Sequence, residues 1–166
     1  MMIPRLRVAL ALMALLAGAA LGIAFASEVW GGLVPCALCL VERWPYRIMI
    51  ALGLIGLILP RPLARAALVL GVIAALAGAA ASAVHVGVEQ KWWPSPMPEC
   101  IAPNLTGLSM ADRLARMPAT PSKSCEDPSY FFDALPVSIS MLNLLYALAL
   151  AAGFATFLWS TRKDPP

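Results

Sequence analysis

Four cysteines carry the chemistry that this sequence advertises. Cys36 and Cys39 stand three apart in VPCALCLVERW, Cys100 closes KWWPSPMPEC, and Cys125 sits in SKSCEDPSY. A Cys-x-x-Cys pair can ligate a metal, anchor haem, exchange disulfides or simply pack. Haem attachment needs a histidine directly after the second cysteine, and Leu40 stands there. A four-cysteine zinc site fits the count, but Cys100 and Cys125 are 25 positions apart, whereas zinc ligands usually come in close pairs. An ordinary structural disulfide beside two packing cysteines is the bland alternative. Redox exchange is the reading that the local chemistry favours.

That chemistry begins at Pro35, which suits the first position of a helix because it has no N–H to leave unpaired. Cys36 and Cys39 then become first-turn residues on one face, where the partial positive charge of a helix N-terminus stabilises a thiolate. Arg43 follows Cys39 by four, on the same face one turn deeper. A guanidinium there would hold an anion at Cys39 or an oxygen of a ligand beside it. Arg43 and Arg47 snorkelling to the interface, with Glu42 as a neighbour, is the competing reading.

The elements that must position these residues are apolar helices. Of the 166 residues, 61% are hydrophobic and only 13% charged, well outside the range of a soluble domain. The net charge of +3 is small, and nothing points to a nucleic-acid partner. Val8–Ala26 is uncharged and spans about 28 Å as a helix, close to the hydrocarbon thickness. Ala66–Val88 is a second such run, interrupted only by Ser82 and His85 near its end, and Val137–Trp159 is a third, with Asn143 its most polar member. Ile48–Leu59 is too short alone and must borrow residues back through Arg47, Arg43 and Glu42 toward Cys39. The expectation is an all-α membrane protein, a single domain over 1–166: a four-helix transmembrane bundle with spans at about 7–27, 37–59, 64–88 and 136–160 and outer loops at about 28–36 and 89–135. Arg5 and Arg7, Arg61 and Arg65, and Arg162 and Lys163 then share one side, which the positive-inside rule makes cytoplasmic. Both termini fall inside and all four cysteines outside, where disulfides persist. Residues 1–26 also resemble a cleavable signal peptide, with AFA before Ser27, although the apolar run is longer than usual for one.

The long outer loop opens with Trp92 and Trp93, suited to an interfacial belt, and Pro94, Pro96 and Pro98 favour an extended segment carrying Cys100. Ser109 and Asp112 resemble a capping box, starting a short surface helix whose Met110, Leu114 and Met117 line one face. It would lie on the membrane or pack on its own loop. A Cys100–Cys125 disulfide would close a loop worth about 3 kcal/mol, in an exposed, mobile setting that suits exchange better than bracing.

Taken together, Cys36-Ala-Leu-Cys39-Leu-Val-Glu42-Arg43 at the outer start of the second span, WWPSPMPEC, and LPVSISMLNLLYAL resemble the DsbB family of bacterial inner-membrane thiol:quinone oxidoreductases over nearly the whole chain. The resemblance implies a function: reoxidation of a periplasmic DsbA-like dithiol oxidase, with electrons passed to ubiquinone or menaquinone. It implies redox disulfides Cys36–Cys39 and Cys100–Cys125. Cys100 would be attacked by the reduced partner, Cys125 would exchange with Cys36, and Cys39, as thiolate, would face the quinone beside Arg43. His85 lies in the region of a family histidine that contacts quinone, whose register relative to Cys100 varies, with a helix-end histidine reaching interfacial water as the alternative. Glu42 and Glu89 are expected as interfacial or ion-pair residues, and Asn143 as an interhelical hydrogen-bonder. Two other functions remain open: a thiol relay dedicated to one exported client, or a tetraspan scaffold with structural disulfides.

Overall fold

A computed structural model describes residues 2–97, 100, 107, 109–115, 123–130 and 137–163. The elements are helical: α1 (Met2–Val29), α2 (Ala37–Val41), α3 (Arg43–Ile58), α4 (Arg61–Glu89), α5 (Met110–Ala115) and α6 (Ile139–Ser160), followed by a 3₁₀ turn, Thr161–Lys163. Among the described residues the only β pairing is an isolated bridge between Tyr130 and Ser138. Of the helices among the described residues, three, α1 from Pro4, α4 and α6, are long and apolar enough to cross a membrane.

The second expected span departs from a continuous 37–59 helix. It is divided at Glu42 into α2 and the 16-residue α3. The cause lies three residues on. Pro45 has no N–H for the Val41 carbonyl, and its ring crowds that carbonyl, so the ladder is interrupted where α2 meets α3. The other helices run close to the expected spans. α4 starts earlier, at Arg61, because Pro60 takes the extended N-cap position and Pro62 lies in the first turn, where no donor is lost.

α1 packs on α3, α3 on α4, and α4 on α6. Their shared core is built from Leu10, Met13, Met49, Leu68, Leu150 and Phe154, with alanines between them. Glycines set the closeness of the contacts: a Cβ on Gly53 would lie 2.8 Å from the Leu10 carbonyl oxygen and 2.9 Å from Ala14 Cβ. Without a hydrophobic drive between helices in lipid, such close backbone approach supplies the packing energy. The outward faces carry Leu15, Ile23, Ile58, Leu70, Ile73 and Leu145, all exposed. So large an apolar surface is a liability in water and suits lipid.

Two helix ends aim the chain at the cysteines. α4 closes with Lys91 in the left-handed region, φ 57°, so that Lys91 N–H donates to Val88 O and Trp92 N–H to Gly87 O. This Schellman-type cap folds the chain back and lays the Trp93 ring on Gly87, where a side chain would collide with it. Ser138 caps α6 by accepting from Met141 N–H. In the long loop, Ser109 accepts from Asp112 N–H and donates to the Asp112 carboxylate, starting α5 as the capping-box reading expects. The faces expected of Leu114 and Met117, and the Pro98 conformation, lie outside the described residues.

Candidate functional site

Cys36 is the N-cap of α2, with extended backbone, and Pro35 precedes the cap by one position. The expectation of Pro35 at the first helical position and both cysteines within the first turn is corrected to this extent. The physical reason is that Cys36 Sγ takes over the capping role, accepting from Cys39 N–H at 3.2 Å. The two sulfurs lie 2.7 Å apart as free thiols. The hydrogen bond from the Cys39 thiol, with the Cys39 N–H behind it, holds the Cys36 thiol below its ordinary pKa despite burial. The helix N-terminus thus favours an anion at Cys36, the cysteine that caps it.

His85, on α4, reaches the same sulfur: Nε2 stands 3.5 Å from Cys36 Sγ, and the ring is buried. Its other nitrogen, Nδ1, is 2.8 Å from Glu42 Oε1. A carboxylate only accepts, so Nδ1 carries the hydrogen, and in the neutral ring the Nε2 lone pair faces the thiol. Glu42 is held in turn. Its Oε2 accepts from Asn143 Nδ2 at 2.7 Å, and the same amide donates to Ser82 Oγ at 2.8 Å. The amide oxygen of Asn143 accepts from Tyr46 O–H at 2.6 Å. Asn143 therefore joins α6 to α3 and α4, as an interhelical hydrogen-bonder should. Glu42 and Glu89 are 6% and 9% exposed, and both face His85, as the ion-pair reading expects. Glu89 accepts from Ser140 on α6 and lies 3.9 Å from His85 Nε2. A buried carboxylate survives only with such partners, and both have them.

Arg43 heads α3, but its guanidinium pairs with Glu28 near the end of α1 and stacks over the Phe25 ring at 5.1 Å. These two partners of Arg43 are thus on α1, whereas the four-residue spacing from Cys39 aims it at that sulfur. Glu42 keeps helical dihedrals between α2 and α3, φ −61° and ψ −16°, and Cys39 and Arg43 both line the cavity described below. Arg47 is exposed, with its guanidinium over the Trp44 ring at 5.1 Å.

Cys100 and Cys125 form a disulfide. The expected exposed, mobile setting is corrected: the two are 1% and 0% exposed. Their sulfurs are apolar enough to bury, and they pack with Leu38, Val88 and Cys36 in one cluster, with Cys39 and Met97 against it. Ser124 Oγ donates to the Cys100 carbonyl at 3.2 Å and steadies the join. All four cysteines consequently meet at one end of the helices.

Beside them opens a cavity of about 350 Å³. Ala20, Leu21 and Ala24 of α1 and Leu142 of α6 give it apolar walls, while Cys39, Arg43 and His85 contribute polar groups. Glu28, Tyr46, Ser82 and Ser140 are site neighbours that sequence reasoning missed. Ser82 left the one available signal, a polar break one turn before His85; the rest are single polar residues in apolar helices without spacing to mark them.

A family model described as disulfide bond formation protein DsbB matches residues 6–157. No curated protein and no solved structure matches the chain. A match over nearly the whole length, with the apolar helices and the cysteine cluster described above, makes the chain a membrane protein of the DsbB family, which serves disulfide bond formation.

Proposed function

We propose that the protein is a thiol:quinone oxidoreductase of the bacterial inner membrane. It reoxidises a periplasmic DsbA-like dithiol oxidase and passes the electrons to ubiquinone or menaquinone. The observation that carries this reading is the shared cavity: about 350 Å³, with apolar residues of α1 and α6 beside the polar groups of Cys39, Glu42, Arg43, His85 and Glu89 in its wall. That volume and that mixture of apolar walls with a few convergent polar groups fit a flat, largely apolar ring. A bound quinone supplies the oxidant, accepting two electrons and two protons.

The residues of this chain divide the remaining work. Cys100 is the point of attack by the reduced partner, which frees the Cys125 thiol; with the Cys36–Cys39 pair oxidised, Cys125 then attacks Cys36, which packs in the same cluster, and frees the Cys39 thiol. Each exchange breaks one disulfide as it forms another, so electrons and protons are conserved; the completed sequence leaves Cys36 and Cys39 as a dithiol, which closes again into a disulfide and releases two of each. His85 Nε2 is placed to receive the Cys36 proton, with Glu42 stabilising the imidazolium that results. Arg43 and His85 are the residues assigned to hold the quinone, and Arg43 is kept in the cavity wall by Glu28.

The same reading treats α2 and α3 as one span, giving four spans, one domain and two loops on the periplasmic side. Arg5, Arg7, Arg61, Arg65, Arg162 and Lys163 then face the cytoplasm. The test is turnover of purified protein with a reduced DsbA-like partner. Oxidation is expected only when quinone is present, and Cys39→Ser is expected to abolish it. Normal turnover of Cys39→Ser overturns the mechanism.

A further inference from the structure

We propose that Cys36, Cys39 and His85 form a binding site for a borderline-soft divalent cation, Zn²⁺, in the dithiol state, and that the bound metal keeps the pair reduced. The ligand atoms of these three residues all lie within 4.8 Å of one another. The consequence for catalysis rests on the functional reading above; the binding does not.

Donor type and geometry both select zinc. Two thiolates and one imidazole are the ligand set of a tetrahedral site with one open position. With Zn–S near 2.3 Å and Zn–N near 2.0 Å, tetrahedral angles put sulfur and nitrogen roughly 3.5 Å apart and two sulfurs roughly 3.8 Å apart. Cys36 Sγ and His85 Nε2 are already 3.5 Å apart. The sulfurs are 2.7 Å apart, so the half-buried Cys39 side chain turns away by about 1 Å to admit the ion. The fourth position faces the cavity, which both cysteines and His85 line.

The surroundings of the histidine complete the argument. Metal-bound histidines almost always donate their other N–H to a carboxylate or carbonyl, which fixes the tautomer and raises basicity. His85 Nδ1 faces Glu42 Oε1 at 2.8 Å, and Glu42 is anchored from its other oxygen by Asn143. The arrangement therefore presents the Nε2 lone pair toward the two sulfurs without any rearrangement of the ring. Coordination displaces the two thiol protons, and the thiolate pairs then held by the metal are no longer available to form a sulfur–sulfur bond.

Co²⁺ and Zn²⁺ are the probes, added to full-length reduced protein in which Cys100→Ala and Cys125→Ala remove the other thiols. One Co²⁺ per chain is expected, with thiolate-to-cobalt charge-transfer absorption and the visible bands of a tetrahedral ion. X-ray absorption is expected to show two sulfurs and imidazole scattering. His85→Ala should remove the imidazole signal, and Glu42→Gln should weaken affinity by about 10–100-fold. Zn²⁺ should slow alkylation of Cys36 and Cys39 by about tenfold or more. Absence of uptake, a spectrum without imidazole, or alkylation unchanged by Zn²⁺ overturns the proposal. Should the substituted chains fail to fold, imidazole scattering from Zn²⁺ on the reduced wild-type protein decides the same question. None of these readouts depends on quinone turnover, so the site and the proposed activity fail separately.

Discussion

At the residue scale, the chemistry turns on what stands behind Cys36. Cys36, His85, Glu42 and Asn143 form a chain of contacts drawn from the start of α2, from α4, from the α2–α3 junction and from α6. Replacing Glu42 with Gln keeps the shape but removes the charge that supports a protonated His85. Oxidation of the Cys36–Cys39 pair by quinone is expected to slow by about 100-fold, within the usual range for general acid–base groups, and stopped-flow kinetics would show it. An unchanged rate would remove the proton-transfer role from His85. Asn143→Leu leaves one Glu42 oxygen buried without its donor, at a cost of about 1–3 kcal/mol in a thermal or denaturant unfolding experiment in detergent. The Cys36 thiol is held below its ordinary pKa by the hydrogen bond from Cys39. Its thiolate should therefore appear at lower pH than that of a free thiol, and the pH profile of its alkylation rate should shift downward. A profile at or above the free-thiol range contradicts the cap geometry. Cysteine positions and the Arg43 charge were legible from spacing. The partner of Arg43 was not, because Glu28 is 15 positions away on another helix.

At the element scale, glycine placement and one proline decide how the helices meet. Gly53 faces α1 so closely that any side chain would press on the Leu10 backbone, which cannot yield as a side-chain tip can. Gly53→Val should therefore destabilise the protein by about 1–3 kcal/mol. Gly18, also in an apolar helix, has nothing within 4 Å of a would-be Cβ. Gly18→Ala should be neutral or stabilising by about 0.5–1 kcal/mol through helix propensity. Equal effects at the two sites, measured by thermal unfolding, would contradict the packing described here. The helices themselves were readable from apolar runs of membrane length. The interruption at Glu42 was not taken from the sequence, although Pro45 marks it, because a proline in a first turn and a proline that breaks a longer helix look alike until the start of the helix is known.

At the scale of the whole molecule, apolar surface outside and a polar cluster inside invert the arrangement of a soluble protein. Buried Glu42, Arg43, Ser82, His85, Glu89 and Ser140 gather near the cavity and the cysteines, while the outer faces carry leucine and isoleucine. The proposed sidedness predicts that a membrane-impermeant thiol reagent added to spheroplasts labels reduced cysteines without lysis. Labelling that requires lysis would reverse the orientation. The buried Cys100–Cys125 disulfide has a further consequence. Under the proposed function, partner attack on Cys100 would require local opening of the cluster with Leu38 and Val88, so a bulky reductant should react far more slowly than a small one such as dithiothreitol. Comparable rates would show that the cluster does not guard the bond.

The sequence by itself determined that the protein is helical and apolar, that its cysteines fall into one close and one distant pair, and that the pattern is that of the DsbB family. Those properties are local: run length, residue type and spacing along one chain. Only the tertiary structure decided that the distant pair is buried against Cys36, that the partner of Glu42 is His85, and that Arg43 turns to Glu28. Each of these joins residues on different helices. Which side chains meet there depends on where Gly53 and Gly56 let α1 approach α3, on the interruption before Pro45, and on the cap that folds the chain back after α4.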